Sequence, residues 1–121
     1  MIDDKIMEMA LEMLNVSDVT EGYMKLYKDM HRPDSVINTD EYKAAEQAMN
    51  KALRCKIDDV ESKRRYVNQA SKHFKRAKTL VKPDSPVRSN EIGACDDGIM
   101  WCNGELDRIN QYEKQVLNVN R

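Results

Sequence analysis

Residues 38–82 read NTDEYKAAEQAMNKALRCKIDDVESKRRYVNQASKHFKRAKTLVK. The stretch runs 45 residues without a Gly or a Pro, the two residues that most often punctuate helices. Leu53, Val60, Val67, Phe74 and Val81 recur at intervals of seven, a helical period rather than the alternation of a strand. Ten of the 20 Lys and Arg residues lie between Arg54 and Lys82. The pattern predicts one long basic helix over Asn38–Lys82, or two nearly collinear ones, against which everything else packs. Asn38 with Glu41 three residues later is a helix-start signature, and Tyr42, Ala45, Met49, Ala52 and Leu53 supply the first apolar face. Asp58 with Glu61 repeats that signature, so a kink or break is expected near Lys56–Asp59. The seven-residue repeat also puts Lys56 and Lys63 on the seam, where a dry coiled coil would not accept charge. The middle of the stretch must then be wet, bent, or in contact with something anionic. Pro83-Asp84-Ser85-Pro86 stops the helix.

The flanks also read as helix. Ile2, Ile6, Met9, Ala10, Met13 and Leu14 recur at helical spacing, which predicts a short amphipathic helix over about 3–15. A second short helix is expected from a cap at Ser17 or Asp18 to about Met30, with Val19, Tyr23, Leu26, Tyr27 and Met30 as its stripe. Val36 and Ile37 can staple the next helix start. After Ser89 or Asn90, a C-terminal helix carries Ile92, Cys95, Ile99, Cys102, Leu106, Ile109 and Val116 at three-four spacing, with Glu113 the one polar interruption. Gly93, Ala94, Gly98 and Gly104 lie beside that seam and permit close helix approach. The short Pro-containing connection sends this helix back antiparallel to the basic one. The expected fold is a single all-α domain of 121 residues. It is a helical bundle or hairpin built on one long basic helix and the C-terminal helix, with two short N-terminal helices.

Composition narrows the function. With 34% charged and 40% hydrophobic residues the chain reads as globular. No apolar run approaches the roughly 20 residues of a membrane span. Asp3, Asp4, Glu8 and Glu12 interrupt the N-terminal run and exclude a signal peptide. Three Cys with no secretory signal read as free thiols in a reducing cytosol, so the expected location is cytoplasmic. Cys95 and Cys102 lie about 10.5 Å apart along a helix, too far for a disulfide, and read as core. Asp58-Asp59 and Asp96-Asp97 are adjacent residues that point apart on a helix, which suits no paired-carboxylate catalyst. No phosphate-binding loop, dinucleotide fingerprint, nucleophile elbow or zinc signature occurs. We therefore expect no enzyme, no catalytic residue, no metal and no cofactor. Trp101 reads as a core or interface anchor.

The remaining signal is charge. Residues 1–53 carry 6 basic and 11 acidic side chains, residues 54–82 carry 10 and 3, and residues 83–121 carry 4 and 7. Concentrated positive charge is the footprint of a phosphate-bearing partner. On a continuous helix Arg54, Arg65, Lys72 and Arg76 fall in one stripe opposite the Val60, Val67 and Phe74 seam, and Arg64, Lys75, Lys78 and Lys82 flank it. Asn68 and Gln69 lie between the clusters and can donate to phosphate oxygens. Such a ladder suits a nucleic-acid backbone rather than a base code. Tyr66 and His73, on the other flank, can stack on bases, though Tyr66 reads first as core. The candidate nucleic-acid-binding residues are Arg54, Arg64, Arg65, Lys72, Lys75, Arg76 and Lys78. The alternative is that the acidic segments neutralise the basic one, within the fold or across a subunit interface.

The run Trp101-Cys102-Asn103-Gly104-Glu105-Leu106-Asp107-Arg108-Ile109 resembles the C-terminal helix of the UvsY-type recombination mediators of bacteriophages. Phe74-Lys75-Arg76-Ala77-Lys78 resembles that family's Lys/Arg-bearing single-strand-binding segment. The resemblance implies a small helical homo-oligomer that binds single-stranded DNA and helps load a recombinase while displacing a single-strand-binding protein. It carries over Lys75, Arg76 and Lys78 as DNA contacts. Three functions compete on the sequence. One is a single-strand-binding accessory factor for recombination or replication. The second is a protein-binding adaptor or inhibitor of a host or defence factor. The third is a structural oligomer whose acidic and basic segments pair.

Overall fold

The computed structural model describes residues 18–117. Four helices carry them: α1 (Asp18–Met30), α2 (Asp40–Arg54), α3 (Val60–Thr79) and α4 (Arg88–Tyr112). A 3₁₀ turn, Val36–Asn38, precedes α2, and a π turn, Glu113–Leu117, follows α4. The described residues are all-helical, as the composition predicts, and hold no strand. The expected helix over 3–15 lies outside them.

The long helix over Asn38–Lys82 does not form. The chain breaks between Arg54 and Val60, and α3 folds back along α2. The cause is local. Thr39 caps α2 by accepting from Tyr42 N at 3.2 Å; the cap is therefore Thr39 rather than Asn38. Asp59 caps α3 by accepting from Ser62 N at 3.4 Å. Cys55 is extended at φ −69°, ψ 142°. A second N-cap inside a Gly- and Pro-free stretch ends one helix and starts another, because the cap residue itself is not helical.

Cross-helix contacts give the directions. Lys63 meets Ala52, Lys51 meets Tyr66, and Glu41 meets His73. Partners later in α3 thus lie earlier in α2, so the two helices are antiparallel. The same holds between α3 and α4: Arg64 meets Glu113, and Lys78 meets Asp96. The basic helix α3 sits between the other two and packs on both.

The core follows from this order. Ala45, Ala48 and Ala52 of α2 face Val60, Val67, Ala70 and Phe74 of α3, with Cys102 and Ile109 of α4. Small alanines let the backbones of α2 and α3 approach closely, and Phe74 fills the centre. It packs edge-on to Tyr42, with ring centroids 5.5 Å apart. Val36, Ala77, Val81 and Cys95 form a second cluster at the opposite end of α3. Four members of the seven-residue repeat are buried. The fifth, Leu53, is 57% exposed because the turn separates it from α3. The helix also ends at Thr79 rather than Lys82. In α1 the buried residue is Met24, whereas Tyr23, expected on the apolar stripe, is exposed. Val116, expected on the α4 seam, is exposed too.

Lys63 resolves the charge on the seam. Its Nζ donates to Ala52 O, near the C-terminus of α2, at 3.4 Å, and lies 3.9 Å from Glu105 of α4. The anionic contact expected there is thus internal. Glu105 also accepts from Arg108 Nε at 2.9 Å, so this buried carboxylate carries two cations. A second buried carboxylate, Glu91, ties the connection after α1 to the start of α4. Its Oε2 accepts from Val36 N at 2.8 Å and Ser35 Oγ at 3.5 Å, while Oε1 accepts from Ser85 Oγ.

Candidate nucleic-acid interface

Helix α3 presents its basic residues on two different faces. Arg65, Lys72 and Arg76 lie within about 40° of one another on a helical projection, opposite the buried Val67, Ala70 and Phe74. All three are exposed. None forms an ion pair among the described residues. Helix rise separates Arg65 from Lys72 by about 10.5 Å and Lys72 from Arg76 by about 6 Å. Asn68 and Gln69, both exposed, join Arg64, Arg65, Lys72 and Glu61 around an open groove on the same surface. Lys75 is exposed between this face and α4, and forms no ion pair among the described residues.

The flank toward α4 is neutralised. Arg64 donates to Glu113 at 2.5 Å and to Asn110 at 3.1 Å. Lys78 meets Asp96 at 2.8 Å. Beyond the helix, Lys82 reaches Asp34 at 3.4 Å, and this ammonium group, hydrogen-bonded to the carboxylate, holds the Asp34 carboxyl below its ordinary range. Among the described residues, internal neutralisation by acidic side chains therefore accounts for Arg64, Lys78 and Lys82, and not for Arg65, Lys72, Lys75 or Arg76. Partly exposed pairs of this kind are weak, so the paired cations remain available to a competing phosphate at modest cost.

Arg54 does not lie in the α3 stripe. It ends α2, in a separate groove at the α2–α3 turn lined by Lys51, Cys55, Lys56, Asp59, Ser62 and Tyr66. The stripe that a continuous helix would have carried is cut by the turn, and Lys51 and Lys56 join Arg54 instead. The signal for Lys51 was its place three residues before Arg54, on the same face of α2. Tyr66 takes two cations near its ring: Arg65 Cζ at 5.1 Å and Lys51 Nζ at 5.8 Å from the centroid. His73 is committed to Glu41, with Nδ1 donating to Oε2 at 2.7 Å.

The chemistry available to this surface is electrostatic. Among the described residues no group of three or more His, Cys, Asp or Glu side chains is placed to hold a metal, and no helix is long and apolar enough to cross a membrane. Cys95 and Cys102 are buried, and burial pushes both thiols up to about 11, which removes the thiolate a nucleophile needs. Of the α4 run that carries the family resemblance, Cys102, Glu105 and Ile109 face inward, whereas Asn103, Asp107 and Arg108 are exposed. Cys102 and Ile109 are core, and Glu105 pairs with Lys63 and Arg108. Comparison with protein families, curated proteins and solved structures found no match to this chain.

Proposed function

We propose that the protein is a non-catalytic factor that holds the phosphate backbone of a single-stranded nucleic acid along the outer face of α3. The observation that carries this reading is the contrast on one helix. Arg64 and Lys78 are paired with Glu113 and Asp96, while Arg65, Lys72 and Arg76 lie exposed in a row, and among the described residues none of the three is in an ion pair, although Glu61 lines the groove beside Arg65 and Lys72. Charged side chains extended along a helix contact phosphates without reading bases. The narrower role, a homo-oligomeric accessory factor in recombination or replication, has the resemblance at residues 74–78 and 101–109 as its support.

Charge reversal separates this reading from a general effect of net charge. Lys72→Glu with Arg76→Glu is expected to weaken oligonucleotide binding by roughly tenfold or more. Lys25→Glu with Lys43→Glu makes the same change in net charge on α1 and α2 and is expected to do far less. Equal losses from the two pairs would contradict a site on α3. A second reading, an adaptor for a protein partner, is favoured by one observation: Leu53 and Ile57, at the α2–α3 turn, are 57% and 51% exposed. Recovery of one stoichiometric protein with no nucleic acid would support it.

A further inference from the structure

The groove at the α2–α3 turn is basic, contains an aromatic ring and is linked to the α3 stripe by Arg65, which reaches that ring. Lys51 and Arg54 come from the last turn of α2, Lys56 from the turn itself, and Tyr66 from the second turn of α3. One acid lines it, Asp59, and its carboxylate is engaged in capping α3 through Ser62 N. Tyr66 packs against the core along part of its surface and remains partly open to the groove. Arg65, the first member of the α3 stripe, has its guanidinium 5.1 Å from the Tyr66 ring centroid. A backbone running along Arg76, Lys72 and Arg65 is thereby delivered to Tyr66.

We infer that this groove is a stacking subsite for an unpaired nucleobase, with Tyr66 as the platform and Lys51, Arg54 and Lys56 holding the flanking phosphates. The inference rests on the proposed binding of nucleic acid along α3 and adds to it a reason for strand preference. Phosphates alone are carried by duplex and single strand alike. A base locked in a duplex has both faces covered by its neighbours, whereas an unpaired base offers a free π-face to an aromatic ring or to a guanidinium plane. The ring near two cations suits such a partner, because the base can take the place of one cation on the ring while that cation moves to a phosphate.

The test compares an oligothymidylate with an abasic oligomer of equal length, which keeps the phosphates and lacks the bases. The full-length protein is expected to bind the oligothymidylate roughly tenfold more tightly than the abasic oligomer. Tyr66→Leu should abolish that ratio and Tyr66→Phe should retain it, while Lys72→Glu with Arg76→Glu lowers both affinities together. Equal binding of the two oligomers by the unaltered protein, or a ratio unchanged in a folded Tyr66→Leu variant, would overturn the subsite and leave the α3 stripe standing. If Tyr66→Leu fails to fold, ultraviolet crosslinking of the unaltered protein decides: an adduct at Tyr66 or its groove neighbours supports the subsite, and adducts confined to residues 68–76 overturn it. Absence of binding to either oligomer would defeat the stripe and the subsite together.

Discussion

Gly98 has no room for a methyl group. A Cβ there would lie 2.6 Å from the Phe74 ring, the centre of the core, whereas one at Gly93 would meet nothing within 4 Å. Alanine is the better helix former at both sites by about 1 kcal/mol. Gly98→Ala must displace a packed ring, at a cost of about 1–3 kcal/mol, and is expected to lower the melting temperature. Gly93→Ala is expected to raise it; thermal unfolding of the two variants checks the pair. Spacing alone marks Gly93, Gly98 and Gly104 alike, and of these three a Cβ would meet a neighbouring helix only at Gly98. The thiols were more legible. Spacing placed Cys95 and Cys102 in the core, and both are there. Because burial holds them protonated up to about 11, a thiol reagent at neutral pH should modify Cys55 alone in the folded protein. Mass spectrometry of the labelled chain would show this, and rapid native labelling of Cys102 would contradict the packing of α4.

At the scale of elements, the turn after Arg54 decides the architecture. Its position was readable from Asp58 and Glu61, but its consequence was not. A kinked helix and a hairpin share one apolar pattern, and they differ only in whether Leu53 remains on the seam. Burial of Lys63 against Ala52 O and Glu105 depends on helices far apart in sequence, so spacing alone could name an anionic neighbour without saying which. Glu91 was invisible for the same reason. In the sequence it is an ordinary acid in the first turn of a helix. In the fold it is buried and accepts from Val36 N, 55 residues away. Glu91→Ala leaves that N–H without its carboxylate, a loss of about 1–3 kcal/mol. Denaturant unfolding should show the loss, whereas Glu46→Ala, at an exposed position of α2, should leave the midpoint nearly unchanged.

Across the whole molecule, the charge asymmetry of the sequence becomes a division of labour between faces. The chain carries a net charge of −1, yet among the described residues Glu113, Asp96 and Asp34 meet cations on one flank of α3 and beyond its end, and Glu105 meets Lys63 on its inner side. The outer face keeps Arg65, Lys72 and Arg76. The candidate site was thus legible as a set of residue types, and its division into paired and unpaired members needed the packing of α4. Arg54 leaves the stripe because the chain turns directly after it. The most direct test of a phosphate-binding α3 is the salt dependence of the unaltered protein's affinity for a single-stranded oligonucleotide. Three phosphate contacts predict a slope of log Kobs against log salt of about −2, steeper by about 0.7 for each further cation recruited at the turn. A slope near zero, or no binding at low salt, would contradict the account.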